Sequence, residues 1–236
     1  MFAWFVQSLG IVGWILGMVA AMLVVSLLYY AASTTKRNSF REGYRGAMVG
    51  INAGLNAWIL YQITGWFGVS TFLGGIVFAS AFLFVSRNVW YHGLLGWINY
   101  FLPMSWLVNV PGSLIFAVNL MFAPLGYLSP TLRPLRIRLY VDLSSGSWTI
   151  FGGLIRPLMG FSGLNMGNFI FINPGWEHLL RHEIGHLFSL GALGWMFHYI
   201  GGIDEGYVQK NYWQAYAEYL AESYNAPGPK GLTMWR

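Results

Sequence analysis

Cysteine is absent from this 236-residue chain and charge is scarce, with Asp, Glu, Lys and Arg making up 9% of residues while 56% are hydrophobic and 18% aromatic. Without cysteine no disulfide can form and no thiolate can bind a metal, so any metal centre must be built from histidine and carboxylate. Soluble domains carry about a quarter of their residues as charges. The shortfall leaves no separate water-facing domain of ordinary composition and makes lipid part of the solvent. The formal charge of +5 comes from small groups of Lys and Arg. They form no basic stripe interleaved with aromatics, so nucleic acid is not expected as a partner, and loops facing anionic lipid account for the excess.

Long uncharged runs fill the first half. Residues 9–31 hold no charge and can cross roughly 30 Å of hydrocarbon as a helix. A cleaved signal peptide would need a basic start and a small-x-small site, which this segment lacks. Lys36, Arg37, Arg41 and Arg45 follow, and the positive-inside bias keeps them cytoplasmic with the N-terminus outside. Residues 47–86 are again uncharged and divide into spans at about 47–64 and 67–86, with Arg87 back in the cytoplasm. Asn52, Asn56 and Gln62 make the first of these polar for lipid contact, so an amphipathic surface helix is its alternative. From 93 to 128 Pro103, Pro111, Asn109 and Asn119 interrupt an apolar stretch, which suits a broken or re-entrant element. Arg133, Arg136 and Arg138 put the next segment on the cytoplasmic side.

The texture then changes. Between 137 and 173 lie short β-like runs at 138–142, 148–151 and 168–173, separated by Ser144, Ser145, Gly146, Gly152, Gly153 and a glycine-rich stretch. A helix is expected over about 176–199 and another over 210–224, stopped by Pro227 and Pro229. The expected architecture is a mainly α, multi-pass membrane protein. Its residues 1–128 supply about three to four transmembrane or re-entrant helices, and residues 129–236 form a cap of a small β-sheet plus zincin-like helices.

Four of the five histidines and six of the eight acids fall between Glu177 and Glu222. Within that stretch His182-Glu183-Ile184-Gly185-His186 carries the chemistry. Histidines four apart on a helix project from one face and can place two imidazole nitrogens about 2.0–2.1 Å from one zinc. Glu183 then lies beside the open coordination position, where it can take a proton from water. The competing reading is a helix with two histidines hydrogen-bonded in a core. The position of the motif just after a strand, where a helix runs beneath an edge strand able to align a peptide, favours the metal.

Zinc needs a third protein ligand, for which His198, Asp204, Glu205, Glu218 and Glu222 are candidates. A metzincin spacing fails because Ser189 and Ala192 occupy the positions required for Gly and His. On a continuous helix His198 lies roughly 18 Å beyond His186, and it reaches the same ion only if Gly191 or Gly194 breaks the helix. Asp204 and Glu205 sit in a glycine-flanked loop, where capping or solvation is their ordinary role. Glu218 is preferred because it sits on a second helix with Glu222 one turn later. Glu222 can accept the second ring N–H of a liganding histidine.

Residues 160–225 resemble the membrane zinc peptidases of the HtpX and CAAX-protease kind. The likeness is carried by Asn165-Met-Gly-Asn-Phe-Ile-Phe-Ile-Asn173, the His-Glu-Ile-Gly-His motif, and Glu218-x-x-Ala-Glu222, where the family has Asp in the last place. The resemblance implies that His182, His186 and Glu218 are zinc ligands and that Glu183 is the catalytic base. A donor to the tetrahedral oxyanion is still required. His198, Tyr199, Tyr207, Tyr212 and Tyr216 are candidates, with His198 preferred.

The function these residues point to is a zinc-dependent endopeptidase embedded in the bilayer, acting on a peptide or membrane-protein substrate from the cytoplasmic side. The alternative is a structural or accessory subunit of a larger membrane complex that keeps the zinc-site helix as scaffold. A transporter or channel fits less well, because the expected spans lack the acidic and basic residues of ion paths.

Overall fold

In the computed structural model, residues 10–32, 36–66, 68, 89–154 and 162–203 are described. The chain is mostly helical with one small mixed sheet. Helix α1 (Gly10–Ala32) is uncharged and exposes Ile11, Leu23 and Leu27. Helix α2 (Lys36–Thr64) packs along it. The close fit depends on glycine: a Cβ on Gly50 would stand 2.5 Å from Met22 Cα, and one on Gly54 would stand 2.7 Å from Met18 Cγ.

Two segments of the described residues are long and apolar enough to cross a membrane, Gly10–Leu27 and Pro103–Leu128. The first coincides with the span expected at 9–31. The segment expected at 47–64 belongs instead to α2, which starts at Lys36 within the basic group and is not among the span candidates. Its polar residues turn inward, for Asn52 and Asn56 are buried. The span expected at 67–86 lies outside the described residues apart from Gly68.

The broken element of 93–128 consists of α3 (Val89–Ile98), a turn through Asn99 and Leu102, α4 (Pro103–Phe122) and the single turn α5 (Leu125–Leu128). The break falls before Pro103, which occupies the first turn of α4, where a missing N–H costs nothing. Pro111 does not interrupt α4. It cannot donate to the Leu107 carbonyl one turn earlier, and the Tyr199 hydroxyl takes that place, donating to Leu107 O at 2.8 Å.

Strands β1 (Ile137–Asp142), β2 (Ser147–Gly152), β3 (Gly163–Met166) and β4 (Phe169–Ile172) form one sheet in the order β1-β2-β4-β3. The outer pairs are antiparallel and β2 runs parallel to β4. Three strands fall where the sequence places them. The fourth, β3, was not anticipated, because Gly163 and Asn165 are weak strand formers. Its signal was nevertheless present: Met166 pairs with Phe169, so Gly167 and Asn168 form a two-residue hairpin loop with Gly167 at φ +71°.

Side-chain alternation divides the core between two helices. Ile150 and Phe171 pack with Phe116 of α4 on one face, while Phe151, Ile170 and Ile172 meet Leu180 and Ile184 on the other. The latter two residues belong to α6 (Leu180–Ile203), which follows a 3-10 turn at Glu177–Leu179. The sheet is thus filled on both sides, which is why its inner strands are nearly continuous apolar runs.

Candidate metal centre

Helix α6 begins at Leu180, so His182, Glu183 and His186 occupy its first two turns, earlier in the helix than the sequence suggested. An acidic side chain in the first turn is favoured by the positive end of the helix dipole. His182 and Glu183 are 7% and 6% exposed, so the motif is at the floor of the site and not on a solvated face. The Nε2 atoms of His182 and His186 are 3.1 Å apart and their rings 4.8 Å apart. Two nitrogens bound tetrahedrally to one zinc stand about 3.3 Å apart, so this pair fits a shared ion with little adjustment.

Three asparagines from three different elements hold α6 in place. Asn165 of β3 donates to Glu183 O at 2.8 Å, Asn99 of the α3–α4 turn to Leu187 O at 3.0 Å, and Asn52 of α2 to Gly191 O at 3.2 Å. The acceptors recur every four residues and lie on one stripe of the helix. A second buried set ties the surrounding elements together: Asn168 Nδ2 donates to Gly96 O and Gly146 O, and its backbone N–H and Oδ1 pair with Asn109. Asn56 Oδ1 accepts from Met104 N in the first turn of α4. The polar residues that made these segments poor lipid-facing helices therefore satisfy backbone groups that burial would otherwise orphan.

Strand β3 forms the rim. As the sheet's edge strand, it turns the backbone groups of Gly163 and Asn165 outward, since Leu164 and Met166 are the residues bonded to β4 in this two-residue hairpin. Glu183 Oε1 packs directly on Gly163, and a Cβ there would lie 3.0 Å from Glu183 Cδ and closer still to Oε1.

His198 arrives by a break in α6. Gly194 has φ +83° and ψ 175°, an extended left-handed conformation open to glycine alone at little cost. Beyond it the chain turns back, bringing the His198 ring within 6.4 Å of His186 and Nε2 within 3.0 Å of Asn165 O. The helix break that the sequence made a condition for His198 to approach the site is therefore present. Burial first, and then the charge of His186, push the His198 imidazole down to about 4 against the opposing hydrogen bond to Asn165 O. Tyr199, another candidate donor, has its hydroxyl committed to Leu107 O.

Among the described residues, no three His, Cys, Asp or Glu side chains are grouped so as to hold a metal. Glu218 and Glu222 lie outside the described residues, as do Asp204, Glu205, Tyr207, Tyr212 and Tyr216. The structure thus brings together His182, Glu183, His186 and His198. Sequence reasoning missed Gly163 and gave Asn165 no role beyond the family likeness, because the importance of both comes from contacts across the fold. No protein-family model, curated protein or solved structure matches the chain.

Proposed function

We propose that this chain is a multi-pass membrane zinc endopeptidase whose site opens on the cytoplasmic side. The observation that carries the reading is the facing pair of His182 and His186 nitrogens 3.1 Å apart, with Glu183 buried beside them under an edge strand. The basic group at 133–138, which leads into the sheet beside the site, supports the orientation by the positive-inside bias.

In this mechanism His182 and His186 would hold the ion, Glu218 would complete the ligand set, and Glu222 would orient a liganding imidazole. A zinc ion held there would supply Lewis acidity and lower the pKa of a bound water toward neutrality. Glu183 takes the proton of the attacking water and returns it to the leaving amine. An extended peptide adds along β3 at Gly163, short of Asn165 O, which already pairs with His198 Nε2, and main-chain hydrogen bonds there set its register over the site.

The test is metal analysis of the purified full chain together with a peptide-library digest read by mass spectrometry. Wild type is expected to hold one zinc and cleave peptides, and Glu183→Gln to keep the zinc and lose cleavage. Wild type without zinc overturns the reading. Zinc retention without cleavage in wild type favours an accessory subunit of a membrane complex.

A further inference from the structure

His198 reaches the site only because α6 breaks at Gly194, and the atoms it engages there restrict what it can do. Its Nε2 faces the backbone oxygen of Asn165 at 3.0 Å. A carbonyl oxygen only accepts, so Nε2 carries the ring proton and the neutral ring keeps its lone pair on Nδ1. The N–H that an oxyanion donor would need is already committed to strand β3.

Ring spacing separates the remaining roles. Two imidazoles bound to one zinc stand about 5 Å apart, centre to centre. His182 and His186 meet that at 4.8 Å, whereas His186 and His198 are 6.4 Å apart. The excess sets His198 outside shared ligation with His186 while keeping its ring beside the site.

Asn165 governs this arrangement. It is 6% exposed, and its side chain donates to Glu183 O at 2.8 Å and Gly167 O at 3.1 Å while accepting from Gly167 N at 2.9 Å. The side chain therefore fixes the backbone whose carbonyl orients His198 and, at the same time, the helical turn that carries Glu183.

We infer that His198 accepts a hydrogen bond through Nδ1 from the water that Glu183 deprotonates, and that Asn165 locks it in that tautomer. The inference rests on the hydrolytic reading of the site. It assigns the water two acceptors on different arms of α6, so that its lone pair is aimed at the substrate carbonyl before the proton moves.

The test combines tautomer and substitution in the full chain. Nitrogen-15 NMR of histidine-labelled protein, recorded zinc-free and zinc-loaded, is expected to show His198 protonated at Nε2 and bare at Nδ1; a proton on Nδ1 overturns the inference. An asparagine side chain places an acceptor near the Nδ1 position, and a glutamine side chain reaches the Nε2 position. His198→Asn is therefore expected to keep kcat within about tenfold, and His198→Gln to lose about 100-fold with KM and zinc content unchanged. The reverse order overturns the proposal and restores an oxyanion donor. Asn165→Ala is expected to mix the two tautomers and lower kcat about 10–100-fold. A folded Asn165→Ala with an unmixed Nε2–H signal removes Asn165 from the account. Absence of zinc from wild type would sink the hydrolytic reading instead, and the zinc-free spectrum would still decide where the His198 lone pair lies.

Discussion

Replacing Gly163 with alanine tests whether the contact between strand β3 and Glu183 sets the geometry of the site. Gly163 does not use a left-handed φ, so the backbone accepts alanine without strain. The added methyl would overlap Glu183 Oε1 and come within 3.0 Å of Cδ and 3.4 Å of Cγ. Ordinary carbon contacts begin near 3.5 Å, so the carboxylate must yield by about an ångström. It has little room to do so by sliding along α6, because the Glu183 carbonyl is tied to Asn165 at 2.8 Å and the side chain is 6% exposed. A misplacement of about 1 Å costs on the order of 100-fold in rate, or about 2.7 kcal/mol of barrier. The clash falls on the far end of a flexible side chain and not on backbone, so the cost is expected in the geometry of the carboxylate and little in stability. The expected result for Gly163→Ala is a folded, zinc-loaded protein whose kcat in peptide cleavage falls about 100-fold. Gly202→Ala is the control, since among the described residues nothing lies within 4 Å of a Cβ there. Undiminished kcat in Gly163→Ala would refute the reasoning, and loss of zinc would show that the strain falls on the histidines and not on Glu183.

Two further substitutions test the packing that supports the site. Tyr199→Phe leaves the Leu107 carbonyl facing Pro111 without its partner and is expected to cost about 1–2 kcal/mol in denaturant unfolding. In a Pro111→Ala background the restored N–H takes over the bond and the cost should vanish; an equal cost in both backgrounds would disprove the compensation. The Thr149 hydroxyl is buried in β2 with no hydrogen-bond partner among the described residues. Thr149→Val is therefore expected to raise stability by about 1–2 kcal/mol, and a loss of stability would show that the hydroxyl is satisfied.

Legibility varied with the range of the interaction responsible. The His182-Glu183-x-x-His186 cluster was readable because two histidines one helical turn apart must share a face, and the facing nitrogens at 3.1 Å follow directly. The strands at 137–142, 147–152 and 169–172 were readable from their apolar content and glycine punctuation. Strand β3 was overlooked although Gly167 and Asn168 spell a hairpin loop, because its own four residues have little strand preference and pairing with β4 supplies what propensity lacks. Asn52, Asn56, Asn109 and Asn119 stood out in the sequence as polar residues within apolar segments. What they do could not be read, since their partners lie on other elements and far along the chain.

By itself, the sequence determined that uncharged helices would be long enough to cross a bilayer, that a metal site could use only histidine and carboxylate, and which helical turn would hold the two histidines. These follow from composition and from contacts no more than one turn apart. Only the tertiary structure decided that Gly194 reverses the path of α6, that His198 comes back to meet Asn165, and that Gly163 lies under the Glu183 carboxylate. Each of those depends on which segments become neighbours after the sheet is filled from both faces. Local spacing constrains the turn of a helix, whereas the approach of a strand to a side chain on another element is set by the packing of the whole core.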